Sequence, residues 1–92
     1  MEIMMEYRNL YHFIHVAQER NFTRAAKKIL MSQSALSRSV QNLEDEFGLI
    51  LIRRSTHFFE LTPAGEYLLE QGIKIVNDFE QIEERMKEFA NE

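Results

Sequence analysis

The chain contains no cysteine, one proline and three glycines in 92 residues. Without cysteine there is no disulfide framework, no cysteine-ligated zinc finger and no thiol nucleophile. So few turn-formers argue against a barrel or sandwich, which needs a turn about every 8–12 residues. No apolar run approaches the roughly 20 residues of a membrane span, and no basic-then-apolar leader opens the chain. The expectation is a soluble cytoplasmic protein with no membrane partner. What remains is 45% hydrophobic and 28% charged, the balance of one compact, mainly helical domain.

Net charge is −4, which looks wrong for a polyanion binder until it is resolved along the chain. Residues 60–92 hold nine acids against Lys74, Arg85 and Lys87. Residues 21–59 hold Arg24, Lys27, Lys28, Arg38, Arg53 and Arg54 against only Glu44, Asp45 and Glu46. From Asn21 to Leu43 there is no acid at all. A local basic face, not the total, decides whether a polyanion binds.

Tyr7, Leu10, Tyr11, Phe13, Ile14 and Ala17 have helical spacing, so a first helix is expected to end near Arg20, with Asn21 breaking it. A short second helix is expected from Thr23, as its N-cap, through Ala25, Ala26, Ile29 and Leu30. Met31 and Ser32 form a tight joint, Ser32 caps a third helix over Gln33–Phe47, and Gly48 stops it. Leu36, Val40, Leu43 and Phe47 face the core. The opposite face reads Gln33, Ser34, Ser37, Arg38, Gln41. An ordinary solvated face mixes Glu with Lys, and this one has neither. Two short helices around a tight turn, the second acid-free outside, match a helix-turn-helix.

After Gly48, the run Leu49–Ile52 with Arg53 and Arg54, then Phe58–Leu61, is expected to form a two-stranded wing with Ser55–His57 at its tip. Phe58 or Phe59 is expected in the core. Thr62-Pro63-Ala64-Gly65-Glu66 is a helix start, Thr as cap and Pro where a missing N–H costs nothing. From there Leu68, Gly72, Ile75, Phe79, Ile82, Met86 and Phe89 alternate by four and three to about Phe89. Such a helix is about 40 Å long, so its distal half needs another surface. Self-association is expected through this seam, with Gly72 allowing close approach.

The stretches Asn21-Phe22-Thr23-Arg24-Ala25-Ala26, Ser32-Gln33-Ser34-Ala35-Leu36-Ser37-Arg38, Leu43-Glu44-Asp45-Glu46-Phe47-Gly48 and Leu61-Thr62-Pro63-Ala64-Gly65 resemble the DNA-binding region of LysR-type transcriptional regulators. The resemblance runs from about Met5 to the end; Met1–Met4 read as a leader extension or a start-codon choice. It implies a winged helix-turn-helix over residues 1–61 and a linker helix over 62–92, paired antiparallel in a homodimer on double-stranded DNA. By position it implies base contacts from Gln33, Ser34, Ser37 and Arg38, a phosphate near Thr23, and wing backbone contacts from Arg53 or Arg54. Gln41 completes the exposed face. Family members also carry a C-terminal domain that senses a small-molecule effector. Ninety-two residues leave no room for it, so an excised domain or a truncated form is expected.

Chemistry supports these roles independently. Arg38 presents the planar fork that suits guanine O6 and N7, or clamps one phosphate. Gln33 suits adenine N6 and N7, and Ser34 and Ser37 have hydroxyls for bases or phosphates. Lys27 and Lys28 read equally as attraction for a polyanion or as ordinary solvated lysines. Two departures stand out: the wing segment Ser55-Thr56-His57-Phe58-Phe59-Glu60 lacks the family's tip arginine, leaving His57 as a weak substitute, and Ser34 replaces a common proline.

An enzyme is the first rival reading. His12 and His15 stand at i, i+3 without a third ligand, there is no phosphate loop or nucleophile elbow, and Glu44-Asp45-Glu46 do not converge. No catalytic residue, metal or cofactor is therefore expected. The second rival is a protein-interaction module acting through the acidic last helix, which leaves the acid-free face from Gln33 to Gln41 without a purpose.

Overall fold

The structure, a computed structural model, describes residues 3–92; the reading of Met1–Met4 rests partly on Met1 and Glu2, which lie outside the described residues. The element order is α1 (Tyr7–Glu19), α2 (Phe22–Lys28), α3 (Gln33–Phe47), β1 (Ile52–Arg54), β2 (Phe59–Leu61) and α4 (Pro63–Ala90). The two strands pair antiparallel, Ile52 with Leu61, Arg53 with Glu60 and Arg54 with Phe59. This is a winged helix-turn-helix followed by a long helix, the mainly helical fold the sequence predicts.

α1 is the centre of the packing. Its apolar face supplies Leu10, Phe13, Ile14, Val16 and Ala17, which meet Ala25 and Ala26 of α2 and Leu36, Val40 and Leu43 of α3. Leu51, Ile52 and Leu61 of the wing base and Val76 of α4 close the core. One polar chain crosses it: Ser39 donates to Asn9 Oδ1 (2.8 Å) and lies 2.7 Å from His12 Nδ1. Since the hydroxyl proton goes to Asn9, the imidazole donates from Nδ1. Burial first, and the charges of Arg8 and His15 after it, hold His12 below its ordinary pKa.

The local caps form where their residues permit. Ser32 Oγ accepts the Ala35 N–H (3.1 Å) at the head of α3. Gly48 ends that helix at φ 65°, a conformation that costs glycine nothing. Thr62 Oγ1 accepts the Gly65 N–H (3.0 Å), with Pro63 at the first helical position of α4. Glu44, on the buried side of α3, accepts the N–H groups of Leu51 (2.8 Å) and Ile52 (3.2 Å), so this carboxylate holds the wing base.

Three expectations are corrected. The cap of α2 is Asn21, whose Oδ1 accepts the Arg24 N–H (2.8 Å), not Thr23, which lies inside the first turn. Arg20, left-handed at φ 53°, turns the chain so sharply that Asn21 is already the cap and Phe22 begins the helix. α2 stops at Lys28 instead of including Leu30, which sits at φ 59° and is 92% exposed. Finally, the second strand begins at Phe59 and not at Phe58, which belongs to the wing tip, where its carbonyl accepts the Ser55 N–H (3.0 Å); of the two rings offered for the core, Phe59 packs on it and Phe58 is 54% exposed.

α4 has 28 residues, in a molecule extending 50 × 34 × 21 Å. Its first half lies against α1, and every residue from 77 to 92 is exposed. No helix among the described residues is long and apolar enough to cross a membrane.

Candidate nucleic-acid interface

α3 is held by Leu36, Val40 and Leu43, all fully buried, which turns Gln33, Ser34, Arg38 and Gln41 to solvent. Ser37 is half-buried on the same face. The polar side chains of this face are partly pre-ordered. Thr23 donates to Gln33 Oε1 (3.0 Å), which ties the head of α3 to α2. Gln41 donates to Asp45 Oδ1 (3.0 Å) one turn on. Arg38 makes no ion pair among the described residues, so its guanidinium fork stands available.

The two wing arginines part company. Arg53 is exposed, opposite Glu60 across the hairpin. Arg54 turns inward, its guanidinium 4.2 Å from the Phe22 ring centroid, and donates from one terminal nitrogen to Ser37 Oγ (3.0 Å). Between wing and helix-turn-helix lies an open cleft of about 650 Å³, lined among others by Thr23, Gln33, Ser37, Arg54 and His57. Thr23, Gln33, Ser37 and Arg54 thus come together at one cleft, while Arg53 stands on the outer side of the wing.

Sequence reasoning missed two contributors. Arg20 donates to the Phe59 carbonyl (3.1 Å) and covers that ring, pinning the wing to the end of α1 across 39 residues of chain. Glu19 gathers Lys28 (2.8 Å) and Arg24 (3.7 Å), and hydrogen bonding from the Lys28 ammonium holds its carboxyl below the usual range. Lys28 is therefore partly committed within the chain, and Lys27 is the freer of the two. Neither contact leaves a periodic trace in the sequence.

The seam residues of α4 also divide. A Cβ on Gly72 would lie 2.7 Å from Ile14 Cδ1 and 2.9 Å from Leu10 Cδ1. The small residue therefore admits α1 of the same chain, which corrects the expectation that it faces a partner helix. Leu68 also packs on the chain's own core. Phe79 stacks on Tyr7 at 3.8 Å between centroids and still leaves 42% of its surface exposed. Ile75, Ile82, Met86 and Phe89 present an uncovered apolar stripe. No group of three or more metal-ligating side chains gathers among the described residues.

Residues 7–66 match the family described as bacterial regulatory helix-turn-helix protein, lysR family. The chain is 37% identical over 87 residues to the HTH-type transcriptional regulator BenM of Acinetobacter baylyi, covering 95% of this chain and 29% of the relative. With the HTH-type transcriptional regulator BudR of Klebsiella aerogenes it shares 50% identity over 72 residues, 78% of this chain and 50% of that one. It spans half or less of either relative's length. The structure of the BenM DNA-binding domain in complex with catB site 1 DNA superposes with a TM-score of 0.84 at 37% identity, covering 94% of this chain and 97% of that one.

Proposed function

The chain belongs to the lysR family of bacterial regulatory helix-turn-helix proteins, and from that membership we propose that it binds double-stranded DNA sequence-specifically as a homodimer on an inverted repeat. The observation that carries the reading is the exposed, acid-free face of α3 from Gln33 to Gln41, backed by a wing on one side and α2 on the other. A helix of this kind fits the major groove with its N-terminal residues toward base edges.

In this reading Arg38 takes guanine O6 and N7 or a phosphate, and Gln33, Ser34 and Ser37 address neighbouring edges. Thr23 and Gln41 flank them, and Arg53 reaches the backbone from the wing. The unit has two parts, a winged helix-turn-helix over 1–61 and a linker helix over 62–92. Leu68 and Gly72 anchor the linker to its own domain, and Ile75, Phe79, Ile82 and Met86 meet the partner's linker. No catalytic step and no cofactor are assigned. The protein acts in the cytoplasm, where bacterial DNA lies, and a small-molecule effector would act on a further domain of a full-length protein.

Selection of bound sequences from a random duplex pool at two salt concentrations tests the reading. The expected result is an enriched inverted repeat, since half-site symmetry mirrors the two-fold of the protein. With about six to ten phosphate contacts, affinity falls by about 10³–10⁵ between 50 and 200 mM salt. A pool without enrichment and without salt-sensitive retention of duplex would refute it.

A further inference from the structure

We propose that Arg54 is a positioning residue for DNA recognition: it occupies one lone pair of the Ser37 hydroxyl and sets a positive charge beside it, so that Ser37 donates toward DNA and reads acceptor atoms in preference to amino groups. The inference rests on the DNA-binding reading above and goes beyond it by assigning Ser37 its chemical preference and Arg54 a role inside the protein.

A serine hydroxyl both donates and accepts, so a free Ser37 would discriminate little between base edges. A guanidinium is always charged, carries five N–H donors and has no acceptor. The 3.0 Å contact between Arg54 and Ser37 Oγ therefore has only one polarity: Arg54 donates and Ser37 accepts. The single hydroxyl proton of Ser37 is left to point away from Arg54, and a charge-assisted bond into the oxygen strengthens the O–H as an outward donor. One lone pair of the oxygen stays open, but the guanidinium charge beside it repels the partly positive N–H of an amino group, so the favoured partners are guanine O6 or N7, adenine N7, thymine O4 or a phosphate oxygen, over the amino groups of cytosine or adenine.

Arg54 is held in this pose from the helix-turn-helix side. Its guanidinium lies on Phe22, the first residue of α2, which itself leans on Phe59 with 6.1 Å between ring centroids. The arrangement is not the one that stability alone favours. The other terminal nitrogen of Arg54 is buried and has no partner among the described residues, and an unpaired buried donor is destabilising. A methionine at this position would cover Phe22 without that cost. α3 is already fixed by Leu36, Val40 and Leu43, so it does not need the bond to Ser37. A local rule broken at a candidate site, with the compensating contact made to a DNA-facing hydroxyl, assigns the residue to function.

The test is a double-mutant cycle with the full chain on the duplex selected above and on a scrambled duplex of equal length. Ser37→Ala weakens binding to the selected duplex by about fivefold, the worth of one hydrogen bond, and by less than twofold in the Arg54→Met background. Reselection with either single variant then names the acceptor's source. Preference relaxed at one base pair places it on a base edge; equal loss on both duplexes with the preference intact places it on a phosphate. Should Arg54→Met fail to fold, Phe22→Leu unseats the guanidinium while leaving both partners in place, and it lowers the Ser37→Ala effect in the same direction. Equal Ser37→Ala losses in both backgrounds would overturn the proposal. So would a Ser37-dependent adenine whose contribution disappears when its amino group is removed. Failure of the unmutated chain to retain any duplex would overturn the DNA reading itself, a result the cycle does not mimic.

Discussion

Gly65→Ala offers the sharpest check on how α4 is mounted. A glycine-to-alanine change in a helix ordinarily stabilises by up to about 1 kcal/mol, so propensity alone predicts a gain. The surroundings reverse the sign. A Cβ at position 65 would run into the backbone carbonyl oxygen of Leu51, a clash no side-chain rotation relieves. That same oxygen accepts the Thr62 N–H (3.0 Å) and is 3.3 Å from the Thr62 hydroxyl, so moving it strains the cap of α4. Overpacking of this kind costs about 1–3 kcal/mol, and a weakened cap adds about 1 kcal/mol. The net expectation is a loss of about 2 kcal/mol. At about 4–8 °C per kcal/mol for a domain of this size, Tm falls by about 10 °C, measured at equal protein concentration because dimerisation feeds into Tm. Gly72→Ala is the internal control: the atoms it meets are the ends of the Ile14 and Leu10 side chains, which are able to rotate aside. Its loss is expected to be smaller than that of Gly65→Ala. A Gly65→Ala protein melting at or above the unmutated chain would refute the reasoning.

Other outcomes follow from the same geometry. Arg38→Ala weakens binding to the selected duplex by about 1–3 kcal/mol if the fork reads a base; an unchanged ratio of specific to non-specific affinity, measured by titration, removes it from base readout. Ile82→Glu, on the uncovered stripe and clear of α1, shifts the chain toward monomer, and an unchanged mass in equilibrium sedimentation would contradict the linker pairing. Burial holds both His12 and His15 below the ordinary 6.5. The unfolded chain therefore takes up protons first, so folding stability is complete above pH 6.5 and declines as pH falls below it. Urea midpoints at pH 7.5 and 5.5 check the sign, and His12→Gln flattens the difference.

Much of this architecture could be read from neighbours three or four residues apart. Ser32 with Ala35, Thr62 with Gly65, and the Leu36–Val40–Leu43 row are all local relations, and each stands where periodicity placed it. The helix-turn-helix, the wing and the long last helix therefore followed from pattern alone. Resolution failed where two local solutions compete. Asn21 and Thr23 are both able caps, and only the left-handed Arg20 before them decides for Asn21. Phe58 and Phe59 are chemically alike, and only the strand register, Arg54 opposite Phe59, decides which of them faces the core.

The exposed donor face and the run of seam residues are properties of the chain, because helical spacing alone puts their members on one side. Their division of labour is not. Gly72 was equally suited to a partner helix or to α1 until packing placed Ile14 and Leu10 against it. Arg53 and Arg54 are adjacent and identical in kind; the pleat sends one outward and the other 17 residues back in sequence to Ser37. Arg20 reaches Phe59 across 39 residues. Contacts at such separations depend on how elements dock, which no period of 2 or 3.6 residues encodes.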